Sequence, residues 1–208
     1  MAAQLAHHLS HKSALALLPH ATITSPIELV RREHDKHFNR WPPHINLIYP
    51  FLASPSESQP TNSHMGEQNS PCLKQHIQQR IEKAVKTIPS FRTSLSADPP
   101  GVFSHGKRSK TVWLGPTSDR AGQLQAALQA EFSECDADTR PFVPHLSIGQ
   151  AASDAGAQRL GETIRAQVLE FTKTQPVLDW DVDRVFVIER KGYHDRFRVV
   201  GAIELGEM

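Results

Sequence analysis

The sequence is poor in cysteine and has no long apolar run. Its 208 residues include two cysteines, Cys72 and Cys135, which form neither a CxxC pair nor the spacing of zinc ligands. This pattern favours a reduced, intracellular protein. No segment approaches the length of a transmembrane helix, and the first residues lack the apolar core of a signal peptide. We therefore expect a soluble cytoplasmic or nuclear protein with no membrane partner.

An excess of charge of one sign is also missing. Lysine and arginine total 23 and aspartate and glutamate 22, which gives a formal net charge of +1. Since no global field attracts a polyanion, any contact with nucleic acid must come from a local patch. The densest basic cluster is HGKRSK, residues 105–110. Twelve histidines are many for this length and favour acid–base or metal chemistry.

Hydrophobic periodicity predicts strands and helices that alternate along most of the chain. One helix is predicted to begin with Ser25 as its cap, Pro26 at its first position and Glu28 completing a capping box. The other predicted elements are strands at 13–20, 44–51, 110–116 and 141–150, a strand followed by a turn-rich loop at 90–109, helices at 72–88, 118–132 (capped by Ser118) and about 160–171, and a hairpin at 181–205 that turns near Gly192.

The predicted elements form a single domain over residues 13–208, preceded by a disordered tail at 1–12. Residues 53–71 differ in composition, because serine, proline, asparagine and glutamine dominate there. A connection of this length is unusual inside a compact domain. We predict a mobile insertion, either tolerated or acting as a lid beside a site.

The chain repeats one unit. In each half a strand leads to a helix and then to a motif of Pro-His, an apolar residue, a small polar residue and another apolar residue. The motifs are PPHINLI around His44 and VPHLSIG around His145; His44 lies 30 residues after Ala14, and His145 lies 34 after Thr111. Two copies of one unit predict two lobes related by a pseudo-twofold axis, with the motif strands side by side.

The two motifs place polar side chains on one strand face. Residues two apart in a strand face the same way, so His44 shares a face with Asn46, and His145 shares one with Ser147. A neutral imidazole can accept a proton while an imidazolium donates one, and short polar side chains can donate to phosphate oxygens. One such motif means little, but two in matching contexts indicate a site for phosphodiester chemistry without metal or cofactor.

These motifs resemble those of the 2H phosphoesterase superfamily, which has two His-x-Thr/Ser motifs followed by an apolar residue. The resemblance spans roughly residues 13 to 204 and is to the RNA 2′,3′-cyclic phosphodiesterases and 2′-5′ RNA ligase-like proteins. It implies a bilobal α+β fold, with two antiparallel sheets facing a central cleft and helices outside. It also implies hydrolysis of 2′,3′-cyclic phosphates on RNA ends or nucleotides, with His44 and His145 catalytic and Asn46 and Ser147 binding phosphate. Asn46 departs from the usual Thr or Ser.

Alternatives of the same fold stay open. They are a non-catalytic nucleotide- or RNA-binding module, a 3′–5′ RNA exonuclease and a 2′-5′ RNA ligase. Which ribose oxygen keeps the phosphate depends on how the ribose lies and on which histidine is the base. We expect a monomer.

Weaker candidates surround the motifs. Tyr49 and Phe142 are aromatic residues able to stack on a base, and Arg190 and Tyr193 lie on a basic turn able to contact RNA; the alternatives are core packing and a solvated hairpin tip. Trp113 and Phe51 are assigned to the core. His34 and His37, at i and i+3 on a helix, have the spacing of metal ligands, but no third ligand is placed by sequence, and we predict no metal.

Overall fold

A computed structural model describes residues 5–58 and 71–206 of the chain. Within these ranges twelve strands and four helices follow one another in the order β1 Leu9–Ser10, β2 Ser13–Leu17, α1 Ala21–His34, β3 Ile45–Ile48, β4 Phe51–Leu52, β5 Ser56–Ser58, β6 Pro71–Leu73, α2 Gln75–Val85, β7 Phe91–Gly106, β8 Ser109–Pro116, α3 Arg120–Glu131, β9 Leu146–Ala151, α4 Asp154–Thr172, β10 Val177–Val182, β11 Arg184–Glu189 and β12 Arg198–Glu204. None of these helices is long and apolar enough to span a membrane.

Eight of the strands form one antiparallel sheet in the order β10-β7-β8-β9-β3-β2-β11-β12. The two motif strands, β3 and β9, are neighbours at its centre and are joined by the pair Ile45–Leu146. The predicted α+β class is confirmed. Where two antiparallel sheets were expected, the structure has one sheet with two four-stranded halves, and the Ile45–Leu146 pair joins these halves. The motif strands lie side by side, as the repeat predicts.

Both halves carry an irregularity at the equivalent place. Between β2 and β3 the register shifts so that Leu47 is an extra residue. Between β8 and β9 it shifts so that Ile148 is the extra residue. Each lies three residues after its motif histidine, and each is a β-bulge, which reverses the alternation of side chains beyond it. This match supports the predicted duplication, which stays a prediction.

All four helices pack on one face of the sheet. Their buried residues share one core with the apolar residues of the central strands, including Ile45, Leu47, Leu146 and Ile148, all at most 3% exposed. Burial of apolar area is the main stabilising contribution to such a core. The opposite face, here called the cleft face, carries a smaller apolar cluster around Ala16 and Phe197. The motif histidines therefore lie on the face that the helices leave open.

Two predicted helix starts are wrong. Helix α1 begins at Ala21, and its cap is His20, whose Nδ1 accepts a hydrogen bond from the N–H of Thr22 at 3.4 Å. Pro26 therefore lies inside the helix and not at its first position, because an earlier residue already caps the backbone. Ser118 does not cap α3; its hydroxyl donates to Thr93 across the sheet at 3.1 Å.

The tail and the insertion contain structure that composition did not indicate. In the expected disordered tail, Leu9–Ser10 pairs with Phe51–Leu52 as an antiparallel ladder. In the expected mobile insertion, Ser56–Ser58 pairs with Pro71–Leu73; residues 1–4 and 59–70 lie outside the described residues. Strand β7 runs for 16 residues through a segment expected to be half loop. Strand β10 was missed.

Candidate active site

The pairing of β3 with β9 brings the four motif side chains together. Ile45 and Leu146 are directly opposite each other. Continuing this antiparallel register by one residue places His44 opposite Ser147, and Asn46 opposite His145. Opposite residues share a face, and their Cβ atoms are about 4.5–5.5 Å apart. The four predicted site residues therefore form one patch on the cleft face.

The two imidazoles have the same hydrogen-bond pattern. Nδ1 of His44 lies 2.8 Å from the carbonyl oxygen of Pro42, and Nδ1 of His145 lies 2.8 Å from that of Val143. Because a carbonyl only accepts hydrogen bonds, Nδ1 is the donor in both rings. In the neutral form Nε2 of each ring then carries the lone pair, so each can receive a proton and later return it.

Both histidines hold a proton less tightly than a free imidazole does. Burial lowers the pKa of His44 from 6.5 to about 4, and the positive charges of Arg31 and His145 add to that effect. Burial also lowers the pKa of His145, with contributions from Arg140 and His105, against the opposing bond to Val143. The lower pKa of the more shielded His44 makes it the more readily neutral ring of the pair.

Aromatic rings shield His44. The indole of Trp41 stacks on His44 with ring centroids 4.5 Å apart and planes 13° apart. Phe197 also stacks on Trp41, with ring centroids 3.8 Å apart, and its backbone N–H donates to the carbonyl of Arg40 at 2.8 Å. Sequence reasoning missed both aromatics. The repeat contained a signal for Trp41, because it precedes His44 by three residues as Phe142 precedes His145.

A different set of rings contacts His145. Phe103 meets it edge to face at 4.8 Å, and Trp113 lies 6.1 Å away. Trp113 pairs with Ser147 across the sheet, so the assignment of Trp113 to the core is wrong: it is half-buried on the cleft face. Phe103 was missed because nothing local connects residue 103 with residue 145. Phe51 is fully buried in the core, as expected.

The two predicted stacking residues have different environments. On a regular strand Tyr49 would face away from His44, but the bulge at Leu47 turns it to the cleft face, where it meets Trp41 edge to face at 5.3 Å. Its hydroxyl donates to the carbonyl of His11 at 3.4 Å. Phe142 instead packs against the main core. Of the two, Tyr49 lies beside the histidine patch.

Arg190 is buried, at 5% exposure, and does not lie on a solvated hairpin tip. Its guanidinium lies over the rings of both Tyr193 and Phe197, 4.6 and 4.7 Å from their centroids. It donates to the carbonyl of Tyr193 and, at 3.1 Å, to that of His11. Arg190 therefore holds Phe197 in place, and Phe197 in turn stacks on Trp41 beside His44. The predicted role of Arg190 was a contact with RNA. Tyr193 is 60% exposed.

A buried ion pair holds the segment that carries Trp41 and His44. The side chains of Arg31 and Asp35 are both buried, and they form an ion pair at 2.7 Å. Arg31 also donates to the carbonyl of Trp41 at 3.0 Å, and Asp35 accepts from Gln150 of β9 at 3.2 Å. A buried pair left with one member is strongly destabilising. The pair therefore fixes the position of the His44 segment relative to the other motif strand.

The metal hypothesis for His34 and His37 gains no support from their surroundings. His34 lies 4.0 Å from Glu33, and Nδ1 of His37 is bonded to Arg40. Over residues 5–58 and 71–206, no three His, Cys, Asp or Glu side chains are grouped as a metal site would need.

A family model described as the 2′-5′ RNA ligase superfamily matches residues 14–194. The chain belongs to this superfamily, that of the 2H phosphoesterases. The members of this superfamily are phosphoesterases and ligases, and this membership supports an enzymatic role for the chain.

Solved structures show the same fold. E. coli LigT complexed with 3′-AMP is 16% identical, with a TM-score of 0.54 over 94% of this chain and 98% of LigT. A crystal structure of a phosphoesterase is 17% identical, with a TM-score of 0.51 over 95% of this chain and 99% of that one. LigT complexed with NADP⁺ gives 0.51 at 16% identity, over 95% and 99%. No curated protein sequence matches.

Proposed function

We propose that the protein is a metal-independent phosphodiesterase that hydrolyses 2′,3′-cyclic phosphates on RNA ends or nucleotides. The observation that carries this proposal is the pair of imidazoles on neighbouring strands, each with Nδ1 bonded to a carbonyl. Such a pair can supply an acid and a base at once. The other support is membership of a superfamily of phosphoesterases and ligases.

The reaction requires one group that accepts a proton from water and one group that donates a proton to the leaving oxygen. In the proposed step, Nε2 of His44 removes a proton from water while the water oxygen bonds to phosphorus. Nε2 of His145, protonated, gives its proton to the ribose oxygen as its bond to phosphorus breaks. The product is a phosphate monoester beside a free hydroxyl, and the proton gained by His44 restores the pair by transfer through solvent. Acid and base catalysis of this kind contribute about 10²–10⁴-fold each.

Asn46 and Ser147 are proposed to hold the phosphate. Asn46 Oδ1 is buried and has no hydrogen-bond partner among the described residues, so no structural hydrogen bond holds this oxygen; the donor to phosphate would be the amide nitrogen, Nδ2. In the continued register of the β3–β9 pair, each of them is opposite a motif histidine, which is the position that the proposed role requires. Donors placed there stabilise the charge that develops on the non-bridging oxygens.

Product analysis tests the proposal. The four nucleoside 2′,3′-cyclic monophosphates and an RNA oligonucleotide with a cyclic end would be incubated with the protein, and the position of the product phosphate identified. We expect turnover unchanged by EDTA. Nucleotide binding without turnover would favour the non-catalytic module, and cleavage of an oligonucleotide without a cyclic end would favour the exonuclease. Loss of activity on chelation would contradict metal independence.

The pH dependence of kcat/KM follows from the two lowered pKa values. A rate that needs one neutral and one protonated histidine is highest between the two pKa values of the free enzyme. Below about 4 both rings, His44 included, are protonated and no base is available. Above the pKa of His145, which lies below 6.5, both are neutral and no acid is available. We expect a bell with both limbs on the acidic side of pH 6.5; a plateau that extends above pH 7 would contradict it.

Trp41 provides a test of how His44 is tuned. In Trp41→Ala the stacked ring is lost and water reaches the imidazole, so the pKa of His44 should rise towards 6.5. We expect the acidic limb of the kcat/KM profile to move to higher pH. We also expect kcat/KM to fall about tenfold, which corresponds to the interaction free energy of one aromatic pair. Trp41→Phe should keep most of the wild-type profile. An unmoved acidic limb in Trp41→Ala would show that the stack does not set the pKa of His44.

A further inference from the structure

The hairpin of β7 and β8 extends beyond the rest of the sheet on the side of His145. Strand β10 pairs with β7 only over residues 91–96, whereas β7 continues to Gly106 and pairs there with Ser109 of β8. Residues 101–109, here called the outer hairpin, therefore have no β10 neighbour. Because β8 still pairs with β9 over residues 110–113, β7 is the edge strand of the sheet opposite them, and a two-stranded ribbon remains at the tip, residues 105–109.

One face of the outer hairpin begins at the catalytic candidate. Phe103 contacts His145 edge to face at 4.8 Å and stacks on Trp113 at 5.0 Å. His105 is the next residue on that side, 6.4 Å from Phe103, and its Nε2 lies 3.0 Å from the hydroxyl of Thr111. The ribbon thus presents an aromatic ring at His145 and an exposed polar ring further out, the composition of a surface along which a strand of bases and phosphates can lie.

The outer hairpin ends in two unpaired cations. Lys107 and Arg108 are exposed, and neither forms an ion pair with any residue in the ranges 5–58 and 71–206. Lys110 differs from them, because it is buried and bonded to Asp154 and Ser104, both at 2.8 Å. In a chain whose net charge is only +1, this tip is a local positive patch of the kind that attracts phosphates.

The two cations lie too far from His145 to serve the reacting phosphate. Four residues of extended chain separate Phe103 from Lys107, a distance of about 13 Å. This exceeds the Debye length of about 8 Å at physiological salt, so an exposed charge at the tip acts weakly on a phosphate beside His145. Cations at this distance can bind only phosphates other than the reacting one. A mononucleotide has no such phosphates, whereas a longer strand has them.

We propose that the outer hairpin binds the backbone of a single-stranded RNA whose cyclic end lies between the two histidines. The inference rests on the proposed function and narrows its substrate to an oligonucleotide. Because a 2′,3′-cyclic phosphate occupies the 3′ end of a strand, the remaining nucleotides extend from it in one direction only. The outer hairpin provides that direction, with Phe103 beside the terminal nucleotide and Lys107 and Arg108 on upstream phosphates.

The test compares two substrates that differ only in length. In Lys107→Ser/Arg108→Ser, kcat/KM would be measured for a nucleoside 2′,3′-cyclic monophosphate and for a hexanucleotide ending in the same cyclic nucleotide. We expect the mononucleotide value to stay within twofold of wild type. We expect kcat/KM for the hexanucleotide to fall about tenfold at low salt. In binding measurements, the magnitude of the slope of log affinity against log salt concentration should decrease by about 1.4, the change expected when two phosphate contacts to a single strand are lost.

A binding measurement keeps this inference separate from the proposed function. Fluorescence anisotropy with a labelled hexanucleotide carrying a 3′-phosphate needs no turnover, and the same loss of affinity is expected there. The control is Lys86→Ser/Arg159→Ser, which removes the same charge from exposed positions on the helical side. Unchanged hexanucleotide binding in the hairpin variant, or an equal loss in the control, would overturn the inference. Absence of turnover in the wild type would count against the proposed function alone.

Discussion

Replacing His44 or His145 by alanine is expected to lower kcat/KM for a 2′,3′-cyclic phosphate by about 10²–10⁴-fold each. In the proposed reaction each ring supplies a proton transfer that water performs poorly, and the hydrogen bond from Nδ1 to the backbone leaves Nε2 as the nitrogen that would take part. Because the rings act as one unit, we expect the double variant to lose little more than the worse single variant. Steady-state kinetics on purified variants measure these losses.

Two controls separate catalysis from folding in this experiment. His76→Ala replaces an exposed histidine on α2 and should leave both activity and Tm unchanged. Imidazole added to His44→Ala or His145→Ala should restore part of the rate, since it replaces the missing proton carrier and cannot repair a misfolded chain. Rates within a few-fold of wild type in both single variants would exclude these histidines as the acid–base pair.

Removing the proposed phosphate donors is expected to have the next largest effect. Asn46→Ala and Ser147→Ala should each lower kcat about 10²–10³-fold, the loss seen when one donor to a developing charge is removed. If the donors act mainly on the transition state, kcat and kcat/KM should fall together while KM changes little. A rise in KM with unchanged kcat would instead assign these side chains to ground-state binding.

Asn46 has a substitution that tests its departure from the superfamily pattern. Asn46→Thr introduces the usual hydroxyl and should stay within about tenfold of wild type, because it keeps a donor on the same strand face. Asn39→Ala and Ser90→Ala, both at exposed positions, are the matched controls. If Asn46→Thr is as impaired as Asn46→Ala, the amide geometry itself is required and the preferred substrate differs from that of the hydroxyl-bearing relatives.

The local sequence predicted the motif strands and their faces correctly. Alternation alone placed Ile45 and Leu146 in the core and left His44, Asn46, His145 and Ser147 on the other face, because the side-chain period of a strand needs no long-range information. The repeat predicted that β3 and β9 would be neighbours, and the paired motifs indicated the superfamily. The helix caps were wrong, since several polar residues near a helix start compete for one cap and only the folded backbone selects among them.

Tertiary structure decided everything that depends on contacts between distant residues. The bulge at Leu47 turned Tyr49 towards the site, the stacking of Phe197 on Trp41 shielded His44, and the long β7 brought Phe103 to His145. Arg190 was predicted to lie on a basic surface turn, but it is buried and donates a hydrogen bond to the carbonyl of His11. None of these has a local signal, because register, burial and pKa are properties of neighbours that the chain acquires only on folding. The sequence by itself determined which residues are candidates for the chemistry, and the fold determined the position and the pKa of each.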